Sequence, residues 1–167
     1  MNIREATIED VPAIFDLYRR VSKTPGGLAR LEEEIDADYV KGFLSRALQS
    51  GVVYVAVTDD HRLIGEIHAH SPPLHCFSHV LTDLTIAVDP ASQGTGVGRK
   101  VFDAFMQQVK DHLRHISRVE LIARESNDRA IRFYESLGFE REGMLRGRIK
   151  NPDGSLESDI PMAWTRR

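Results

Sequence analysis

Apolar residues recur along this chain at two different spacings, and those spacings predict its elements. Ile3 and Ala6 belong to a short opening strand. Glu9 and Asp10 then favour the first turn of a helix, and Pro12 is tolerated near its start. Val11, Ile14, Phe15, Leu17, Tyr18 and Val21 form its helical stripe, which Thr24-Pro25-Gly26-Gly27 breaks. A second helix is predicted from Asp36 to Gln49, with Tyr39, Val40, Phe43, Leu44 and Leu48 as its buried side and Gly51 as its end.

The pattern changes at Val52–Val57, a dense β-branched and aromatic run that predicts a buried strand. Asp59-Asp60 makes a turn, Leu63–Ala69 returns as the partner, and Ser71-Pro72-Pro73 stops it. Leu81–Val88 is the next strand, ended by Asp89-Pro90 because proline donates nothing to a ladder. Val97, Val101, Phe105 and Val109 lie four apart on a third helix. Val119–Ala123 reads as a strand, Asp128–Leu137 as a helix, and Phe139–Ile149 as a strand. Asn151-Pro152-Asp153-Gly154 has tight-turn chemistry, and Ile160–Trp164 closes the chain. The order βααβββαβαββ predicts a mixed α/β fold over 1–167, one domain. Its mostly antiparallel central sheet has about seven strands flanked by about four helices.

Composition narrows the function classes. The 167 residues are 41% hydrophobic and 28% charged, within the range of folded globular proteins. A net charge of -3 gives no electrostatic reason to expect nucleic acid or an anionic membrane as partner. The single cysteine, Cys76, excludes an internal disulfide and weakens any cysteine-based zinc reading. No apolar run approaches the ~18 residues that span a bilayer. The start lacks a signal-peptide pattern, so a cytoplasmic protein is expected.

Two segments carry candidate chemistry. Gln93-Gly94-Thr95-Gly96-Val97-Gly98 follows a strand and opens a helix. Its glycines allow backbone N–H groups to converge, and the helix N-terminus adds partial positive charge, which suits a phosphate or pyrophosphate. Alternating G-x-G-x-G differs from the dinucleotide fingerprint, and Arg99 after Gly98 fails the Walker A requirement for Lys. Farther on, Asn127 and Tyr134 are about two helical turns apart and share a face. Gly138 suits the left-handed position that ends this helix, with Phe139 packing back.

Together these segments resemble the GNAT superfamily of acyl-CoA-dependent N-acetyltransferases. Gln93, Gly96 and Gly98 fill its Q/R-x-x-G-x-G/A signature. Asn127, Ala130, Tyr134, Gly138 and Phe139 fill its N-x-x-A-x-x-x-Y-x-x-x-G-F block. The resemblance implies acetyl-CoA as cosubstrate and no metal. It implies that the loop, Gln93 to Gly98 with Arg99, holds coenzyme A, the N–H groups of Gly94, Gly96 and Gly98 meeting its pyrophosphate. Ile86, Ala87 and Val88 would pair with the pantetheine amides as an added strand does. Asn127 would hydrogen-bond the same arm, and the Tyr134 hydroxyl would reach the thioester sulfur. The implied acceptor is a primary amine of a small molecule or amino acid. A protein N-terminus and a non-catalytic acyl-CoA sensor are the alternatives, and a homodimer is left open.

Acyl transfer to an amine needs a neutral nucleophile, yet α-amines titrate near about 8 and Lys near about 10.4, so a base must help. Asp83 is the named candidate, and Glu66, His68 and His70, sharing one strand face, could relay a proton through water. A metal at His68, His70, His75 and His79 lacks a third ligand fixed by spacing, so these read as surface or substrate-rim histidines. Cys76 reads as buried and inert rather than as an acyl carrier, which favours direct transfer. The acidic stretch Glu32, Glu33, Glu34, Asp36 and Asp38 reads as a solvated face or as a field for a cationic amine.

Overall fold

A computed structural model describes residues 1–25 and 28–167, so the Gly26-Gly27 part of the expected helix break lies outside the described residues. The chain forms two compact units, Met1–Ser71 with Thr85–Arg114 and Pro72–Leu84 with His115–Arg167.

In the first unit, strand β1 (Asn2–Glu5) leads through a short 3-10 turn into helix α1 (Val11–Ser22). Arg4 grips Asp10 with both Nη atoms at 2.8 and 2.7 Å, and the Thr7 N–H donates to the same carboxylate. Helix α2 (Ala37–Ser50) starts where Asp36 accepts from the Tyr39 N–H at 2.7 Å, a side-chain cap of an otherwise unpaired donor. Strands β2 (Gly51–Val57) and β3 (Leu63–His70) follow as an antiparallel pair, with β1 on the far side of β2. Ile14, Leu17, Tyr18, Val40, Phe43, Leu44 and Val53 share one apolar core. At ~25 cal/mol per Å² such burial is the main force holding both helices to the sheet.

Helix α3 (Val97–Asp111) also packs on β2 and β3, and Gly65 sets how close it comes. A Cβ there would sit 3.0 Å from Val97 Cγ1 and 3.3 Å from Ala56 Cβ. With helices against both sides, β3 is buried along nearly its whole length.

Strand β4 (Val80–Val88) contributes its first residues to the second unit and its last to the first. In the second unit Val80 and Leu81 pair in parallel with Arg118 and Val119 of β5 (Arg118–Arg124). Asp83 then takes φ 55°, a left-handed conformation that interrupts the pleat two residues past that pairing. Helix α4 (Asp128–Ser136) is followed by β6 (Glu140–Arg141), β7 (Leu145–Lys150) and β8 (Leu156–Thr165). Strand β8 runs antiparallel to β5, and β6 and β7 both pair with it.

The mixed α/β architecture and the element order through α4 stand as the sequence predicts, with four α-helices among the described residues. Three details differ. The strand expected over Phe139–Ile149 is two strands, because Glu142-Gly143-Met144 leaves the ladder, which raises the strand count among the described residues to eight. The last strand begins at Leu156 rather than Ile160, since its first half serves as partner for β7. Leu48 is exposed, and Ala47 takes the buried position on α2.

Candidate functional site

Within the first unit, the end of β4, the Gly-rich loop and the start of α3 are contiguous. Asp89 anchors the entry to the loop. Its buried carboxylate accepts from Arg20 Nε at 2.8 Å, Arg62 Nη2 at 2.7 Å and the Ala91 N–H at 3.0 Å. Burial pushes this carboxyl up, but the Ala91 N–H and the two guanidinium groups outweigh it and hold it below the usual range. The sequence showed Asp89 only as the residue before a strand-ending proline. Its role as an anchor depends on Arg20 and Arg62, 69 and 27 positions away.

Asp89→Asn is expected to cost about 2 kcal/mol in denaturant unfolding, the scale of a lost charged hydrogen bond. Because the folded pKa lies below the unfolded one, the wild-type advantage should be full above the unfolded value, near about 4, and vanish as pH falls through the folded value.

The loop turns tightly after Asp89. The Ser92 N–H donates to Asp89 O at 2.8 Å, and the Thr95 hydroxyl donates to Ser92 O at 2.6 Å. Gly94 and Gly96 hold φ of 78° and 86°, where a side chain is strained and a Cβ would meet no protein atom within 4 Å. Gly96 is the residue before α3 and caps it without any side-chain hydrogen bond. The Lys100 N–H makes the first bond of the helical ladder, to Gly96 O at 3.1 Å. The N–H groups of Val97, Gly98 and Arg99 precede that ladder, at the positive end of the helix dipole. Gly98 lets this turn lie against β4, since a Cβ there would already stand 3.4 Å from Val88 Cγ2.

The Asp89 N–H donates back to Ile64 O at 2.9 Å. Amides alternate in direction along a strand, so the Val88 and Ile86 N–H groups point away from β3. Gln93 is exposed, and Arg99 is engaged on the helix surface with Asp103 at 3.0 Å. These residues fit a pyrophosphate followed by an amide-bearing arm. Oxygen acceptors would meet uncapped N–H donors, and an extended chain would meet outward-turned strand amides.

The second unit holds Asp83, Asn127 and Tyr134. Asp83 is exposed at its left-handed kink. Asn127 Oδ1 accepts from the Ala130 N–H at 3.1 Å and so caps α4, which points the amide's donor end away from the helix. Tyr134 lies on α4 beside Phe133 and Phe139, and burial alone pushes its phenol up to about 12. The hydroxyl therefore stays protonated at neutral pH.

Other candidates take different roles. His68, read as a surface or rim residue, is buried: its Nδ1 lies 2.9 Å from Glu66 Oε1, and Tyr18 donates to Glu66 Oε2 at 2.6 Å. The period-2 pattern alone does not disclose this, because burial of that face depends on α1 and α2. His70 is half-buried, His75 and His79 are exposed, and among the described residues no group of three His, Cys, Asp or Glu side chains could hold a metal ion. Cys76, expected to be buried, is exposed on a 3-10 turn. Much of the acidic stretch serves local structure. Glu32 pairs with Arg19 and Lys23, Glu34 accepts from the Leu31 N–H, and Asp36 caps α2.

Residues 11–139 match the acetyltransferase (GNAT) family, and that match includes the loop and the Asn127–Phe139 block. The chain belongs to this family. Among curated relatives, the ribosomal protein bS18-alanine N-acetyltransferase of Haemophilus ducreyi is 37% identical over 82 residues, 49% of this chain and 55% of that protein. The chain thus spans about half the length of such curated relatives. A ribosomal-protein-alanine N-acetyltransferase from Brucella melitensis shares the fold at a TM-score of 0.84 and 22% identity, covering 99% of this chain and 100% of that one. The yncA protein of Salmonella typhimurium, solved with its cofactor acetyl-CoA, superposes at 0.83 and 21% identity, covering 99% and 93%. No helix among the described residues is long and apolar enough to cross a membrane.

Proposed function

We propose that this chain transfers the acetyl group of acetyl-CoA directly to the primary amine of a small molecule or amino acid, in the cytoplasm. The observation that carries the reading is the loop itself. Two left-handed glycines deliver the chain into an uncapped helix N-terminus at the end of β4. In this reading the Val97, Gly98 and Arg99 N–H groups and the loop glycines hold the pyrophosphate. The outward N–H groups of Ile86 and Val88 hold the pantetheine arm, and Asn127 donates to it through Nδ2.

Tyr134 serves the departing sulfur. Its phenol at about 12 is far weaker as an acid than a thiol near about 8.5, so complete proton transfer to the thiolate runs uphill. A hydrogen bond from the hydroxyl, which stabilises the charge as it develops, is the role that suits this pKa. Asp83, exposed at its kink, is the candidate for proton relay.

A protein N-terminus as acceptor is the second reading, and it is favoured by the names of relatives that act on ribosomal-protein alanine. Release of free coenzyme A from acetyl-CoA should be measured with free amino acids, simple amines and alanine-initiated peptides. Turnover on free amino acids but not peptides is expected. The reverse would establish the second reading. Tight acetyl-CoA binding with no turnover on any acceptor would make the chain a sensor.

A further inference from the structure

We propose that His68 is the general base of this reaction, held for the task by Glu66 and Tyr18; the assignment rests on the acetyl-transfer reading above. Glu66 is fully buried on β3, with the Tyr18 hydroxyl 2.6 Å from Oε2 and His68 Nδ1 2.9 Å from Oε1. Burial and the neighbouring Glu66 carboxylate push the Tyr18 phenol well above its ordinary value, so Tyr18 is the donor. That leaves Glu66 Oε1 to accept from Nδ1–H of His68. The imidazole proton is thereby held on Nδ1, and Nε2 carries the lone pair.

The ring cannot turn away. It stacks on Phe43 with centroids 4.1 Å apart and planes 7° apart, and Phe43 stacks in turn on Tyr18 at 5.1 Å. Among the described residues His68 makes its hydrogen bond through Nδ1 alone, and the one side-chain nitrogen or oxygen that is both sealed from solvent and without a partner is Arg124 Nε. The Nε2 atom of this 6%-exposed side chain therefore reaches accessible space. With Nδ1 committed to Glu66, Nε2 is the ring nitrogen left to take a proton.

Its place in the first unit suits the task. The Asp89 N–H to Ile64 O bond joins the end of β4 to β3. Across β2, Glu66 lies opposite Val55 and His68 opposite Val53, both in the core that also contains Ala87. Ala87 belongs to the same core face as Tyr18 and Phe43, whereas Val88 and Ile86 face Gly98. The dyad thus flanks the β4 segment assigned to the pantetheine arm, on the opposite face from the pyrophosphate loop. Around the dyad, Glu66 lies on the same strand, Tyr18 on α1 bonds Glu66, Tyr39 on α2 packs edge-on against Tyr18 with the Arg30 guanidinium 3.9 Å from its ring centroid, and Val53 on β2 lies opposite His68.

In the step itself, Nε2 takes a proton from the incoming ammonium and becomes the imidazolium that Glu66 stabilises. The freed nitrogen lone pair forms the C–N bond at the thioester carbon, and the C–S electrons leave on sulfur. The second proton on nitrogen passes through water to the thiolate. The proton on His68 returns to solvent, so the products are amide, thiol and one proton.

His68→Gln retains an amide for Glu66, and the test is kcat as a function of pH with acetyl-CoA and the panel amine that wild type acetylates fastest. The expected result is a fall of ~100-fold in kcat, within the range of a lost general base, with loss of the acidic limb and an unchanged KM for acetyl-CoA. Added imidazole should restore His68→Ala. Unchanged kcat and an unchanged acidic limb in His68→Gln would overturn the assignment while leaving acetyl transfer intact. Absence of wild-type turnover would instead remove the reading on which it rests. A second measurement needs no acceptor. Nitrogen-15 histidine NMR of the wild-type protein should show His68 with Nε2 unprotonated, and a proton on Nε2 of the neutral ring would overturn the assignment even if His68→Gln fails to fold.

Discussion

Gly96→Val lowers acetyl-CoA affinity by at least ~100-fold, the expected result of losing about two charge-assisted hydrogen bonds to the pyrophosphate at ~1.5–3 kcal/mol each. The reasoning rests on what a side chain would meet. At φ 86° a Cβ on residue 96 contacts no protein atom within 4 Å, so overpacking does not disturb the fold. In the proposed reading the side chain instead takes space assigned to the pyrophosphate. Left-handed strain adds a stability cost of ~1–2 kcal/mol. Gly154 offers a matched control, since it has the same φ of 86° and the same empty surroundings, in the turn after Asn151. Gly154→Val should therefore show a similar loss of stability with no loss of acetyl-CoA affinity, as read by calorimetric titration. Equal affinity in both variants would separate the loop from the ligand.

Tyr134→Phe should lower kcat by ~100-fold and leave the KM for acetyl-CoA nearly unchanged, because the hydroxyl acts on charge that exists only as the C–S bond breaks. Burial holds this phenol at about 12, so it remains a donor across the neutral and moderately alkaline range. Its own ionisation should accordingly impose no alkaline decline on wild-type kcat below about pH 10, two units beneath that value. A decline centred near pH 8 that disappears in Tyr134→Phe would contradict both the pKa and the role. Unchanged kcat in the variant, under conditions where chemistry limits turnover, would remove the tyrosine from the reaction.

Local chemistry explains which parts of this structure were legible in the sequence. The loop could be read because its conformation is written in single residues: only glycine takes φ near 80° cheaply, and it occupies both such positions before α3. Helix α4 was equally plain, since Asn127 caps it and Gly138 ends it with φ 88°. The split between β6 and β7 was harder. It depends on how β8, a distant strand, divides its length between two partners.

The buried polar residues were hidden for a related reason. Glu66 and His68 alternate with Ile67 and Ala69 as on any half-solvated strand, yet α1 and α2 cover their face while α3 covers the other. The charge on Asp89 is compensated by Arg20 and Arg62, neither of which is near it in sequence. Asp83, the candidate base on its strand, sits in a left-handed kink that no local glycine or asparagine announces. Long-range pairing, rather than local propensity, decides each of these.

The central claim is that the Gly-rich loop and the start of α3 hold the pyrophosphate of acetyl-CoA. Backbone amide NMR during titration with acetyl-CoA tests it most directly. The expected result is saturable shifts concentrated at the N–H groups of Gly94, Gly96, Val97, Gly98 and Arg99, with the matched glycine at 154 unmoved. Saturable binding that leaves those five amides unshifted would contradict it.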